Sequence, residues 1–66
     1  MEYRDSYGAI LKLQNRVDRK DRQFHFPGTV IALYVDSKNI TYAVVEMKTH
    51  KLQHIFRTDA LVRTDL

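Results

Sequence analysis

Cysteine is absent from this 66-residue chain, so no disulfide can brace it and the thiolate form of a metal site is excluded. Also missing is any apolar run near the ~20 residues that a membrane-spanning helix requires. A signal-peptide pattern is likewise lacking, and together these absences lead us to expect a protein of a bacterial-type or phage-type cytoplasm with no membrane partner. Nor is there a Gly-rich phosphate loop, a Ser nucleophile elbow or a His-Glu-x-x-His helix, so the strong local signatures of catalysis are lacking. A chain this short encloses one hydrophobic core and buries roughly 60% of its unfolded surface. Small domains commonly gain stability from disulfides, a metal or oligomerisation. With the first unavailable and the second weakened, self-association is the expected reinforcement.

What charge there is runs mildly basic, with a net +3 and a pI near 9.5. That bias favours anionic ligands such as nucleotides, polyglutamates or nucleic acid without demanding any of them. The densest stretch, Arg16-Val17-Asp18-Arg19-Lys20-Asp21-Arg22, mixes four cations with two carboxylates. It reads first as a solvated loop and second as a phosphate-contacting patch.

From Phe26 onward the signals are strand and turn. Pro27-Gly28 marks a turn, and Thr29 to Val35 is a β-branched, aromatic-rich run of one strand's length. The polar tetrad Asp36-Ser37-Lys38-Asn39 separates it from a second strand, Ile40 to Met47, giving a hairpin. Lys48 to Lys51 makes the next break, and Leu52 to Phe56 reads as a third strand. Arg57-Thr58-Asp59 suits one helical turn, and Ala60 to Arg63 a short closing strand. This spacing predicts a mainly β chain forming a small SH3-like antiparallel barrel of about five strands.

The opening third has two readings. Gly8 to Leu13 can be the first strand, while Tyr3, Tyr7, Ile10 or Leu11, and Val17 also fall near helical spacing. Strand is the better supported, because Gly8 inside a helix costs about 1 kcal/mol relative to Ala and a barrel needs a strand to cover its open edge. Residues 1–7 are then expected as a flexible leading segment and residues 8–66 as a single domain, with Gln14 to His25 as a long hydrophilic first loop.

Several motifs have plain explanations. His50 and His54 have metal spacing only on a helix; on a turn and strand they lie up to ~13 Å apart. Asn39-Ile40-Thr41 fits a glycosylation acceptor but is more simply a turn. Phe24, Phe26, Tyr34 and Tyr42 could edge a cage for a cationic or peptide ligand, although large rings in so small a protein are mostly needed for burial. Leu52-Gln53-His54-Ile55-Phe56 is the least ordinary segment. With a period of two, Leu52, His54 and Phe56 share one face and Gln53 and Ile55 the other, so neither face is cleanly apolar. That pattern suits an exposed edge strand, or one facing a subunit interface or ligand cavity.

From Gly28 to about Arg63 the chain resembles the plasmid-encoded type II dihydrofolate reductases that confer trimethoprim resistance, SH3-like barrels assembled as homotetramers. Gly28-Thr29-Val30-Ile31-Ala32-Leu33-Tyr34 is similar to that family's Gly-x-Ile-Val-Gly-Trp-Tyr strand. Tyr42-Ala43-Val44 followed by Glu46 is similar to its Tyr-Ala-Val-Glu, and Ala60-Leu61 to its closing Ala-Leu. Gln53-His54-Ile55-Phe56 falls on its active-site segment, Val-Gln-Ile-Tyr. The resemblance implies a central pore lined by this segment from four subunits, where NADPH and dihydrofolate meet face to face and the proton comes from solvent. By position, His54 takes the place of a glutamine that contacts both ring systems, Ile55 offers backbone groups, and Phe56 keeps a tyrosine's ring without its hydroxyl. Gln53 stands where the family has an apolar residue. The family also carries a basic residue on its first strand that attracts the ligands' anionic groups, and Lys12 is the nearest counterpart. No residue is assigned as acid or base.

SH3-like barrels host many unrelated functions, and the chain also fits a non-catalytic SH3-like or Tudor-like module of phage or mobile-element type. Such a module would contact protein or nucleic acid through the Arg16 to Arg22 stretch and exposed rings such as Tyr34.

Overall fold

A computed structural model describes residues 1–21 and 25–66 of the chain. Its architecture is mainly β, as the sequence indicates, and its strands form two antiparallel sheets. The smaller pairs β1 (Tyr3–Arg4) with β2 (Ile10–Leu11). The larger contains β3 (Arg16–Arg19), β4 (Gly28–Val35), β5 (Thr41–Glu46), β6 (Gln53–Arg57) and β7 (Leu61–Arg63), in the order β6-β5-β4-β3-β7. A single 3-10 turn, Thr58–Ala60, joins β6 to β7. No helix among the described residues is long and apolar enough to cross a membrane.

The central hairpin follows directly from local chemistry. Asp36 Oδ1 accepts the backbone N–H groups of Lys38 and Ile40 at 2.8 and 3.0 Å, and Asn39 takes the left-handed φ of 63° that the turn demands and Asn tolerates. β4 and β5 then pair from Val35↔Thr41 to Thr29↔Glu46, with a register shift between Val30 and Ala32 that bulges the longer strand at Ile31. A bulge bends its strand and increases the local twist. Gly28 is required where β4 begins: a Cβ there would fall 2.6 Å from the Glu46 carbonyl oxygen and 2.7 Å from Val45 Cγ1.

Two parts differ from expectation. Gly8 to Leu13 does not open the larger sheet; only Ile10–Leu11 is extended, and it pairs with Tyr3–Arg4. The place is taken by β3, inside the stretch expected to be a hydrophilic loop. A four-residue strand needs little apolar content when both flanks supply backbone partners. β3 pairs with β4 on one side and β7 on the other, and it turns Val17 into the core with 1% exposure. Residues 1–7, expected to be flexible, contribute β1 and a buried carboxylate. Asp5 accepts backbone N–H groups from Tyr7 and Ala9 through Oδ1 and from Arg63 through Oδ2, all within 2.9 Å. Ser6 N–H also donates to the Leu61 carbonyl, so residues 5 and 6 cover the outer edge of β7.

The core consists of Leu11, Val17, Val30, Ala43, Val45 and Leu61, with Tyr3, Phe26, Leu33 and Phe56 packed against it. Not every ring is spent on burial: Tyr7 and Tyr34 are exposed. Arg22 of the charged run and Phe24 of the proposed cage lie outside the described residues.

With so small a core, the Asp5 carboxylate should matter to stability. Asp5→Ala strands backbone donors that it now satisfies and is expected to cost about 3 kcal/mol, read by urea unfolding, whereas Glu2→Ala at an exposed pair with Arg4 should cost under about 0.5 kcal/mol. Equal losses would contradict this assignment. Gly28→Ala should cost about 1–3 kcal/mol through overpacking.

Candidate functional site

The segment that drew attention in the sequence is β6, an end strand of the larger sheet. One of its edges pairs with β5 in the register Glu46↔Gln53, Val45↔His54, Val44↔Ile55, Ala43↔Phe56 and Tyr42↔Arg57. Among the described residues no strand pairs with its other edge. Because His54 and Phe56 sit opposite the buried Val45 and Ala43, they share the inward side of the sheet. Gln53 and Ile55 project to the opposite face, where Gln53 Nε2 donates to Glu46 Oε2 at 3.0 Å.

His54 and Phe56 gather a third ring. Phe26, on the approach to β4, meets His54 edge-on with centroids 4.9 Å apart and lies 5.4 Å from Phe56; His54 and Phe56 stack at 6.1 Å. Above Phe56 sits a cation, the Arg19 guanidinium, whose Cζ lies 5.9 Å from the ring centroid, within cation–π range.

Both Phe26 and Arg19 are held by one carboxylate. Asp18 Oδ1 accepts the Arg19 N–H at 2.7 Å and the Phe26 N–H at 2.8 Å, while Oδ2 lies 3.0 Å from His25 Nδ1. Burial of Asp18 pushes its pKa upward, but the hydrogen bonds from His25, Phe26 and Arg19 together outweigh it and hold the carboxyl below its ordinary 3.8. The pair with His25, a ring more than half exposed, adds little by itself.

Of the residues expected to form a site, His54 and Phe56 are thus brought together, with Ile55 and Gln53 turned away from them on the same strand. Lys12 is not part of this group. It lies in the turn after β2, where its N–H donates to Asn15 Oδ1 at 2.7 Å, and it borders an open cleft with Tyr3, Ile10, Leu13 and Leu33. The cation beside the rings is Arg19, on the first strand of the larger sheet. The signal for it was present as the alternation Val17, Asp18, Arg19, which puts Val17 and Arg19 on one side of a strand. The cage of Phe26, Tyr34 and Tyr42 does not form, since the tyrosines stack on each other 5.1 Å apart on the far face. Among the described residues no three His, Asp or Glu side chains are grouped to hold a metal.

Chemically the cluster offers aromatic rings set edge-on and tilted to one another, an imidazole able to donate or accept, an adjacent permanent cation and a strand edge with no strand beside it. That combination can stack on a planar ring and hold an anionic group beside it. No family model, no curated protein and no solved structure matches this chain.

The Asp18 linkage has a definite sign. With its folded pKa depressed, the stability it lends is complete above about pH 3.8 and drains as pH falls through the lower folded value. Urea unfolding at pH 6 and pH 3 should therefore show a smaller acid-induced loss for Asp18→Asn than for wild type. An identical loss in both would remove Asp18 from this role.

Proposed function

We propose that the chain is an SH3-like barrel of the type II dihydrofolate reductase kind, working as a homotetramer that reduces dihydrofolate with NADPH in a pore lined by β6. Support for the barrel comes from the distance between β3 and β6. They are three strand intervals apart in the sheet order, roughly 14 Å across a flat sheet, yet Arg19 reaches the Phe56 ring. The bulge in β4 supplies the bend that such curling needs.

The observation that carries the functional reading is the cluster of His54, Phe56 and Phe26 under Arg19, beside the free edge of the segment that resembles the family's active site. In this reading the rings of His54 and Phe56 pack against nicotinamide and pteridine, and Ile55 offers its backbone. Arg19, rather than Lys12, attracts the ligands' phosphate and glutamate charges. NADPH supplies the hydride, water supplies the proton, and the chain contributes positioning instead of an acid or base. One barrel presents only a quarter of the pore, so assembly is a condition of activity.

The test combines light scattering with an NADPH oxidation assay on the same sample. A tetramer whose oxidation of NADPH depends on dihydrofolate and persists in trimethoprim is expected, with Arg19→Gln lowering kcat/KM by roughly tenfold or more through lost charge pairing. A strict monomer, or a tetramer without turnover, would contradict the proposal. The second reading, a non-catalytic binding module, draws on the exposed Arg16 and Lys20 of a chain with net charge +3. Its mark is nucleic-acid affinity that falls steeply with salt and survives His54→Ala.

A further inference from the structure

At the end of the larger sheet where β4 begins, the chain leaves an open cleft of about 350 Å³ that none of the clustered rings lines. The start of β3, the entry to β4, the turn after β5 and the residue after β7 surround it. Val17, Pro27 and Met47 make its apolar lining; Arg16, Lys48 and the threonines at 29, 49 and 64 make the polar part.

Backbone bonds fix this framework. Arg16 pairs with Thr29 across the β3–β4 ladder, its N–H donates to Asp65 Oδ2 at 3.1 Å, and its carbonyl accepts the Thr64 N–H at 2.9 Å. Opposite, the Met47 N–H donates to the Leu52 carbonyl at 2.7 Å and closes the turn that carries Lys48 and Thr49. The side chains on the framework are unengaged. Among the described residues neither cation has an ion-pair partner and none of the three hydroxyls has a hydrogen bond, whereas Arg4, Arg57 and Arg63 are each paired with a carboxylate and Arg19 lies over Phe56. Two carboxylates neighbour the cleft and both are occupied. Asp65 accepts Arg63 Nε at 2.6 Å, and Glu46, beside Thr29 in the ladder, accepts Gln53 Nε2 on the side away from Arg16. With Lys51 in the same turn, four cations stand against these two carboxylates.

Charge and shape together select the ligand. A phosphomonoester carries about −1.5 to −2 charges near neutral pH, and its three terminal oxygens suit two cations and several hydroxyl donors better than the single charge and two oxygens of a carboxylate. The arginine fork and the lysine point charge are both phosphate binders. The apolar lining then calls for a ring or short chain joined directly to the phosphate, because a nucleotide would set its ribose hydroxyls against Val17 and Met47 without partners. The volume lies at the lower end of the range for ligand pockets, room for one ring and its phosphate.

We propose that this cleft binds a small, free phosphomonoester whose phosphate is joined directly to an aryl or short alkyl group, with the phosphate between Arg16 and Lys48 and the apolar group against Val17, Pro27 and Met47. The site shares no residue with the β6 cluster, and it stands or falls separately from dihydrofolate reduction.

Backbone amide NMR on the full chain at low salt, titrated in turn with phenyl phosphate, inorganic phosphate and phenol, tests the proposal, and the same spectra verify that each variant is folded. Phenyl phosphate should bind saturably and shift Arg16, Thr29, Met47, Lys48, Thr49 and Thr64 while His54 and Phe56 stay unmoved. Inorganic phosphate and phenol should each bind roughly tenfold more weakly or worse, since each offers only half of the recognition. Arg16→Gln and Lys48→Gln should each weaken phenyl phosphate roughly five- to tenfold, and Glu46→Gln, which removes a neighbouring negative charge, should tighten it. Lys38→Gln, in the turn at the other end of β4, should change nothing. Cleft residues unmoved by phenyl phosphate, an affinity equal to that of inorganic phosphate or of phenol, or indifference to both cation substitutions would each overturn the proposal.

Discussion

A single carboxylate, that of Asp18, fixes the relation between the two halves of the larger sheet. One oxygen binds the N–H of Arg19, the last residue of β3, and that of Phe26, which leads into β4. This bond brings the chain back after the segment that separates β3 from β4 and delivers Phe26 against His54 and Phe56. Arg19, held by the same atom, is left poised over Phe56. Asp18 thus ties the return of the chain to the ring cluster, while the pairing of β3 with β4 and β7 sets the strand that carries Arg19.

Similar devices recur at three other places among the described residues. Asp5 ties the leading segment to β7, Asp36 closes the β4–β5 turn while also accepting the Tyr42 hydroxyl, and Asp65 accepts from the Arg16 N–H and Arg63 Nε. Asp36 is held below its ordinary pKa chiefly by the Ile40 N–H, and Asp65 chiefly by Arg63. In a domain whose core is a few aliphatic side chains, charge-assisted bonds to backbone donors take over part of the ordering that a larger interior would provide.

What the sequence revealed and what it concealed divide by the range of the interactions. β4, β5, β6, the Thr58–Ala60 turn and β7 were legible, since each is written in local apolar runs and turn residues, and the pairing of His54 with Phe56 on one face followed from the two-residue period. β3 was concealed because Val17 is its only apolar residue and its partners, at Gly28–Thr29 and Leu61–Arg63, are distant in sequence. The role of Asp5 was concealed for the same reason: Arg63 lies 58 residues away. The site expectation rested on the same reading of the fold. Taking Gly8 to Leu13 as the first strand made Lys12 the basic residue, whereas the first strand of the larger sheet carries Arg19.

The proposed site makes one claim that can be read residue by residue, namely that the anionic, ring-bearing ligand meets β6 and Arg19 rather than the Lys12 cleft. Backbone amide NMR during an NADPH titration of the intact protein addresses it most directly. The account predicts shifts concentrated at Arg19, His54, Ile55 and Phe56, with Lys12 and Leu13 unmoved. Shifts centred on Tyr3, Ile10 and Lys12, or none at β6 at saturating NADPH, would contradict it.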